Sequence, residues 1–139
     1  MDSARVAASW ILALVLAGLM LWVANGLLFP ATPEANVLFP TLAERSGVAL
    51  WEPTGRFTIA IAHVLAALLL VIPFTRLLGG FIALAISGGA VATHFLWLRE
   101  EVAAGATGAD LGVLLYLAIA AVVMSLLIAL VHPHQKAAY

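Results

Sequence analysis

Two histidines, an asparagine and a tyrosine interrupt otherwise apolar stretches of the sequence, and these four residues could do chemistry there. They are Asn25, His63, His94 and Tyr116. Each lies within roughly 6–10 Å of one end of its stretch, counted as a helix, so four segments place one polar group each at a similar depth. Polar groups surrounded by lipid are costly unless they are paired or face a cavity. We therefore predict that the four residues form the floor of a ligand pocket.

Arg56 and Arg99 stand just beyond this layer, near acidic residues that can pair with them, and we predict that they flank the mouth of the pocket. A purely structural interpretation stays open beside this one. Each histidine can be a hydrogen-bonded packing residue, Asn25 can bond between helices, and Tyr116 can anchor its helix at the membrane interface.

Several chemistries find no support in the sequence. There is no cysteine, no intramembrane Asp or Glu, and no glycine motif for a nucleotide. His132 and His134 are too few to make a convincing metal site. His63 and His94 lie on small-residue faces of adjacent helices, which draws the helices too close to admit a porphyrin. We expect no metal and no haem, assign no catalytic residue, and do not expect the chain to be catalytic on its own.

The composition defines the elements that must position these residues. Of 139 residues, 65% are hydrophobic and 9% are charged, whereas soluble domains carry roughly 25% charged residues. A span needs about 20 apolar residues, and its backbone must be helical because lipid satisfies no hydrogen bond. The chain is thus predicted to be a single all-α domain, residues 1–139, an integral membrane four-helix bundle in contact with lipid. The predicted spans are 7–29, 57–75, 77–98 and 111–131.

Helix faces made of small residues predict which spans pack closely. In the third span, residues at alternating three- and four-residue steps are small and end at a histidine: Gly80, Ala83, Ser87, Ala90 and His94. The second span carries His63 among alanines. A tight hairpin from Pro73 to Arg76 joins the two spans, so we expect their small faces to oppose each other and to bring His63 near His94.

The 27-residue loop of residues 30–56 is predicted to be partly ordered and to cover one end of the bundle. Thr32-Pro33-Glu34 resembles a helix start, and Thr41 with Glu44 has the spacing of a capping box. Gly47 is a predicted helix stop. The alternative is an unstructured loop.

Basic residues give the predicted orientation. They divide evenly between the two sides: Arg5, Arg76 and Lys136 on the side of the termini, and Arg45, Arg56 and Arg99 on the other. Acidic residues neutralise the second group, so both termini are predicted to be cytoplasmic, in a bacterial inner membrane. The first span is too long for a cleavable signal peptide and is predicted to be a retained helix. The net charge of −1 gives no basic field for a nucleic-acid partner.

The segment from Trp51 to Trp97 resembles the DoxX-like family of small four-helix membrane proteins. The matching features are Gly55-Arg56, a leucine-rich run that ends at Pro73, Arg76, Gly79-Gly80, and Gly89-Ala90 followed by His94. The chain departs from the family at His63, where many such proteins have glutamate. The resemblance implies a four-helix fold. It also implies a relationship to subunits of thiosulfate:quinone oxidoreductase, or to membrane partners of enzymes that handle sulfur and oxidative stress.

Two functional hypotheses follow. In the first, the chain is an accessory subunit of a membrane redox system and binds a quinone-like lipophilic molecule in a pocket of the outer leaflet, with His63 and His94 hydrogen-bonded to a carbonyl of the ligand. In the second, it is a structural or assembly subunit without a ligand, which docks through small-residue faces against other membrane subunits or a second copy of itself.

Overall fold

The computed structural model describes residues 2–32, 36–103 and 111–132, and its regular elements are all helical. Four long helices, α1, α3, α4 and α6, account for most of the described chain: Asp2–Leu28, Thr54–Val71, Arg76–Leu96 and Leu111–Val131. The short elements are α2 (Leu38–Ser46), a 3₁₀ turn (Ala49–Trp51) and α5 (Arg99–Ala103).

The four long helices are long and apolar enough to cross a membrane, which confirms the predicted number of spans. At most 28% of the residues in the most apolar window of each helix are buried inside the protein. Large apolar side chains such as Leu14, Phe81 and Leu130 are more than half exposed on the outer surface. An apolar surface of this extent requires a hydrocarbon solvent, so the chain is an integral membrane protein with four spans.

The long helices pack as a ring in which α1 contacts α3, α3 contacts α4, α4 contacts α6, and α6 contacts α1. Small side chains dominate the core, which consists of Ala13, Leu16, Ala17, Met20, Ala66, Ala67, Leu70, Ala83, Ala121 and Ile128. Because lipid tails are as apolar as leucine, close contact between helices rather than exclusion of water holds such a bundle together.

The predicted second span was wrong at its C-terminal end, because α3 stops at Val71 and does not continue to residue 75. Ile72 is extended, with φ −95° and ψ 118°, as expected for a residue whose helical conformation is blocked by a following proline, here Pro73. The hydroxyl of Thr75 donates to the carbonyl oxygen of Leu69 at 3.0 Å. The predicted hairpin before Arg76 is confirmed.

The segment between α1 and α3 contains α2, which starts at Leu38. The predicted capping box was wrong, because Val37 is the N-cap residue and Thr41 and Glu44 lie inside the helix. Gly47 ends α2 in the left-handed conformation, with φ 72°, as predicted. Residues 33–35 lie outside the described residues, and so does most of the predicted Thr32-Pro33-Glu34 helix start.

Three arginines bind carbonyl oxygens in the last turns of neighbouring long helices. Arg76 Nε donates to the oxygen of Leu70 in α3 at 3.1 Å, and Arg5 Nη2 donates to that of Leu130 in α6 at 3.1 Å. Arg56 Nη1 donates to the oxygen of Leu27 in α1. The last carbonyls of a helix have no partner within the helix and carry partial negative charge, so an arginine both satisfies and neutralises them.

Arg76 is the most enclosed of these arginines, with 2% of its surface exposed. Its Nη1 donates to the hydroxyl oxygen of Ser9 at 2.9 Å, and its guanidinium carbon lies 4.1 Å from the centre of the Trp10 ring. These contacts connect the start of α4 to α1.

Gly79 marks the closest approach of α3 and α4. A Cβ atom built on Gly79 would lie 2.7 Å from the backbone nitrogen of Leu70 and 3.0 Å from the carbonyl oxygen of Ala66. Backbone atoms in a helix cannot move aside, so only glycine fits there. At Gly80, on the predicted small-residue face, the nearest atom would be 3.7 Å away, an ordinary contact.

We predict that Gly79→Ala lowers the free energy of unfolding by about 1–3 kcal/mol, because the added methyl group forces the two backbones apart. The control is Gly88→Ala in the same helix, where a Cβ atom meets nothing within 4 Å. Unfolding by SDS in mixed micelles, followed by circular dichroism, measures both variants. Equal stability of the two variants would contradict the close contact at Gly79.

We also predict that Ser9→Ala destabilises the protein by about 1–3 kcal/mol, because it removes the partner of a buried charged donor. Ser3→Ala is the control, since Ser3 is exposed in the same helix. The same SDS titration compares them. A Ser9 variant as stable as the Ser3 variant would show that Arg76 does not depend on this hydrogen bond.

Candidate functional site

A cavity of about 520 Å³ lies in the half of the bundle where α1 and α4 end and α3 and α6 begin. All four long helices line it, and Phe39 and Leu42 of α2 together with Trp51 line the side nearest the connecting segment. The rings of Phe39 and Trp51 lie 6.4 Å apart. Cavities that bind small molecules are typically about 300–1,000 Å³ and mostly apolar, so this one has the size and character of a ligand site.

His63 and His94 both line the cavity, and they are 6% and 3% exposed. In each histidine Nδ1 lies 2.7 Å from the carbonyl oxygen one turn earlier in its own helix, that of Ile59 for His63 and that of Ala90 for His94. Among the described residues, no partner bonds the enclosed Nε2 of His94. The two rings are therefore fixed by their own helices, and His94 has an unused hydrogen-bonding atom.

Of the other four predicted site residues, one lines the cavity and three do not. Asn25 of α1 lines the cavity, so three of the six candidates meet around one space. Tyr116 is 73% exposed and is not a lining residue. On α6 the lining residues Leu114, Leu117 and Ala121 share one helical face, and residue 116 points away from it.

The two predicted mouth arginines lie outside the cavity lining. Arg56 forms an ion pair with Glu52, with 3.0 Å between Nε and Oε2, and its bond to the Leu27 carbonyl connects the start of α3 to the end of α1. Arg99 is exposed at the start of α5. Arg56 thus fixes the position of the cavity wall without touching the cavity.

A second ion pair connects the short helices at this end of the bundle. Arg45 at the end of α2 donates through Nε to Oε1 of Glu101 in α5 at 2.7 Å, and its Nη1 lies 3.4 Å from Oε2 of Glu100. The hydrogen bond and charge of Glu101 raise the pKa of Arg45, so the arginine stays charged. The pair holds α2 near α5, beside the cavity.

Sequence reasoning missed that the small-residue face of α4 has two roles. Gly80 and Ala83 are buried in the half of the bundle that contains Arg76, whereas Ser87, Ala90 and His94 line the cavity. A small residue leaves space where no neighbouring helix or side chain packs against it, and a single sequence does not show where that happens. The sequence feature that marks the cavity-lining part of this face is its pair of polar residues, Ser87 and His94.

No carboxylate is present among the lining residues, which belong to the described part of the chain. Of the described residues, no three His, Asp or Glu side chains form a group able to hold a metal ion. The predicted metal candidate His134 lies outside them. The described lining therefore offers apolar contact, hydrogen bonding by imidazole, amide and hydroxyl groups, and no evident acid–base pair.

Comparison of the chain with protein-family models, with curated protein sequences and with solved structures gives no significant match. The resemblance to the DoxX-like family thus stays a prediction, and the cavity has to be interpreted from its own residues.

We predict that a cysteine at position 87 reacts with N-ethylmaleimide at least about tenfold faster than one at position 125. Both serines are 3% exposed, but Ser87 lines the large cavity, whereas Ser125 borders a gap of only about 30 Å³. A small apolar reagent that enters the cavity reaches the first thiol and not the second. Because the chain has no cysteine, Ser87→Cys and Ser125→Cys each carry one reactive site, and mass spectrometry gives both rates. Equal rates would contradict an accessible cavity.

Proposed function

We propose that this protein is a non-catalytic membrane subunit that binds a lipophilic small molecule of the quinone class in the cavity. The observation that carries the proposal is the apolar cavity of about 520 Å³ in which Asn25, His63 and His94 are lining residues. Its volume suits the ring and the first part of the tail of a quinone, and its few polar groups suit the recognition of one oriented head group.

The proposal extends to the setting of the protein. A subunit of a membrane redox system, related to the DoxX-like family and lying in a bacterial inner membrane with both termini cytoplasmic, fits the four spans and the lipophilic ligand. The absence of a carboxylate from the described cavity lining favours a binding role over catalysis by this chain. We retain the expectation that the two histidines hold neither haem nor a metal ion.

Retention of the ligand by the purified protein tests the proposal. We expect native mass spectrometry in mild detergent to show a bound molecule, and organic extraction to identify it as a quinone or hydroquinone. Gly89→Leu should reduce its occupancy at least about tenfold, because Gly89 is an exposed lining residue with room at its Cβ position, so a leucine side chain there can take up space at the edge of the cavity.

Gly88→Leu is the matched control. Gly88 precedes Gly89 in α4, also has no atom within 4 Å of a Cβ position, and is not a lining residue. Occupancy should stay near the wild-type level in this variant. Equal loss in both variants, or a wild-type protein that carries only phospholipid, would contradict the proposed binding function.

An assembly subunit without a ligand is the second candidate. Gly18 favours it, because this exposed residue of α1 has nothing within 4 Å of a Cβ position and would let a partner helix approach closely. This candidate requires a ligand-free protein whose partner, another subunit or a second copy of the chain, is lost when Gly18 is replaced by leucine.

A further inference from the structure

The hydrogen bonds of the two cavity histidines determine which of their ring nitrogens carry hydrogen. A backbone carbonyl oxygen can only accept a hydrogen bond, and it lies 2.7 Å from Nδ1 in both His63 and His94. Nδ1 must therefore be the protonated nitrogen. In a neutral imidazole the other nitrogen, Nε2, then has a lone pair and no hydrogen, so it can only accept.

We expect the imidazole rings of His63 and His94 to be neutral beside the cavity. Both rings are buried, and no carboxylate lies among the described residues that line the cavity, so a charged imidazolium would have no counter-ion there. Each histidine therefore offers the cavity an acceptor and no donor.

Nε2 of His94 is a buried hydrogen-bond acceptor without a donor from the described part of the protein. A buried acceptor without a donor is rare and unfavourable in proteins, so an unpaired one beside a cavity needs an explanation. A ligand that donates a hydrogen bond to Nε2 explains the unpaired nitrogen. A ligand with only acceptors leaves the nitrogen unpaired and places its own lone pair against the lone pair of Nε2, which is repulsive.

We infer that the ligand is held through a hydroxyl group that donates to Nε2 of His94, and that the ring of His63 offers a second acceptor of the same kind. The inference rests on the proposed function and specifies its ligand, because it selects the hydroquinone over the quinone. It replaces the expected hydrogen bond from the histidines to a ligand carbonyl, since a neutral histidine of this form has no hydrogen at Nε2. Binding alone is involved, with no electron transfer.

The test compares three probes of nearly equal shape that differ in their hydrogen-bond donors: a short-chain ubiquinol, its oxidised quinone and its dimethyl ether. A monoacylglycerol of similar size is the fourth probe. Binding is measured by calorimetry in detergent without oxygen, at about pH 8, where neutral imidazole predominates. We expect the hydroquinone to bind at least about tenfold more tightly than the quinone or the ether, because both lack the donor that the site requires.

His94→Leu should reduce this preference to about twofold or less, since it removes the acceptor and keeps an apolar side chain. Tyr116→Phe, which removes a hydroxyl outside the cavity lining, should leave the preference unchanged. The monoacylglycerol distinguishes a hydroxyl-bearing lipid from a hydroquinone. Either one supports a hydroxyl-donating ligand, and the tighter of the two identifies its source.

A measurement without any ligand tests the same inference independently. In protein with ¹⁵N-labelled histidine, single-histidine variants should show a protonated Nδ1 and an unprotonated Nε2 at both positions. A quinone or ether bound as tightly as the hydroquinone, or a protonated Nε2 in the spectrum, would overturn the inference and leave the cavity as a binding site. Failure of all four probes to bind would remove the proposed function together with the inference.

Discussion

The need of each helix end for hydrogen-bond donors is the constraint on which the rest of this bundle depends. The last carbonyls of a helix have no partner within the helix, and here Arg5, Arg56 and Arg76 reach them from a neighbouring helix. Their bonds connect α1 to α6, α3 to α1, and α4 to α3, which are three of the four neighbour contacts of the ring. A few charged residues thus satisfy backbone carbonyls and connect helices that stand side by side.

With the helix ends fixed in this way, the size of the side chains decides where the bundle is dense and where it is open. Near Arg76 the α3 and α4 backbones approach so closely that only glycine fits at position 79. Toward the other end the same face of α4 continues with Ser87 and Ala90, but there it lines a cavity. Small residues on one face of α4 thus accompany close packing at the Arg76 end and line the cavity at the other end.

The sequence predicted the number and approximate positions of the four spans because hydropathy acts within the chain, over a few neighbouring residues; the second span nevertheless stops at Val71, before Pro73. It predicted the cavity histidines and Asn25 because a polar residue inside an apolar stretch has few acceptable places. It could not place Tyr116, since α6 is apolar on every side and shows no periodicity from which an inward face can be identified. Nor could it predict the role of Arg56, which depends on a carbonyl oxygen of α1, far away in sequence.

The local bonding of His63 and His94 explains how such a site can be built without charged groups. Each ring is fixed by the carbonyl one turn earlier in its own helix, so its orientation does not depend on the partner helix or on a ligand. That bond also determines which ring nitrogen is protonated, and hence what kind of group the ring offers to the cavity. A single helix turn therefore supplies both the position and the chemical preference of each histidine. The surrounding bundle needs only to keep the space beside them apolar and open, and small residues of α4 line that space.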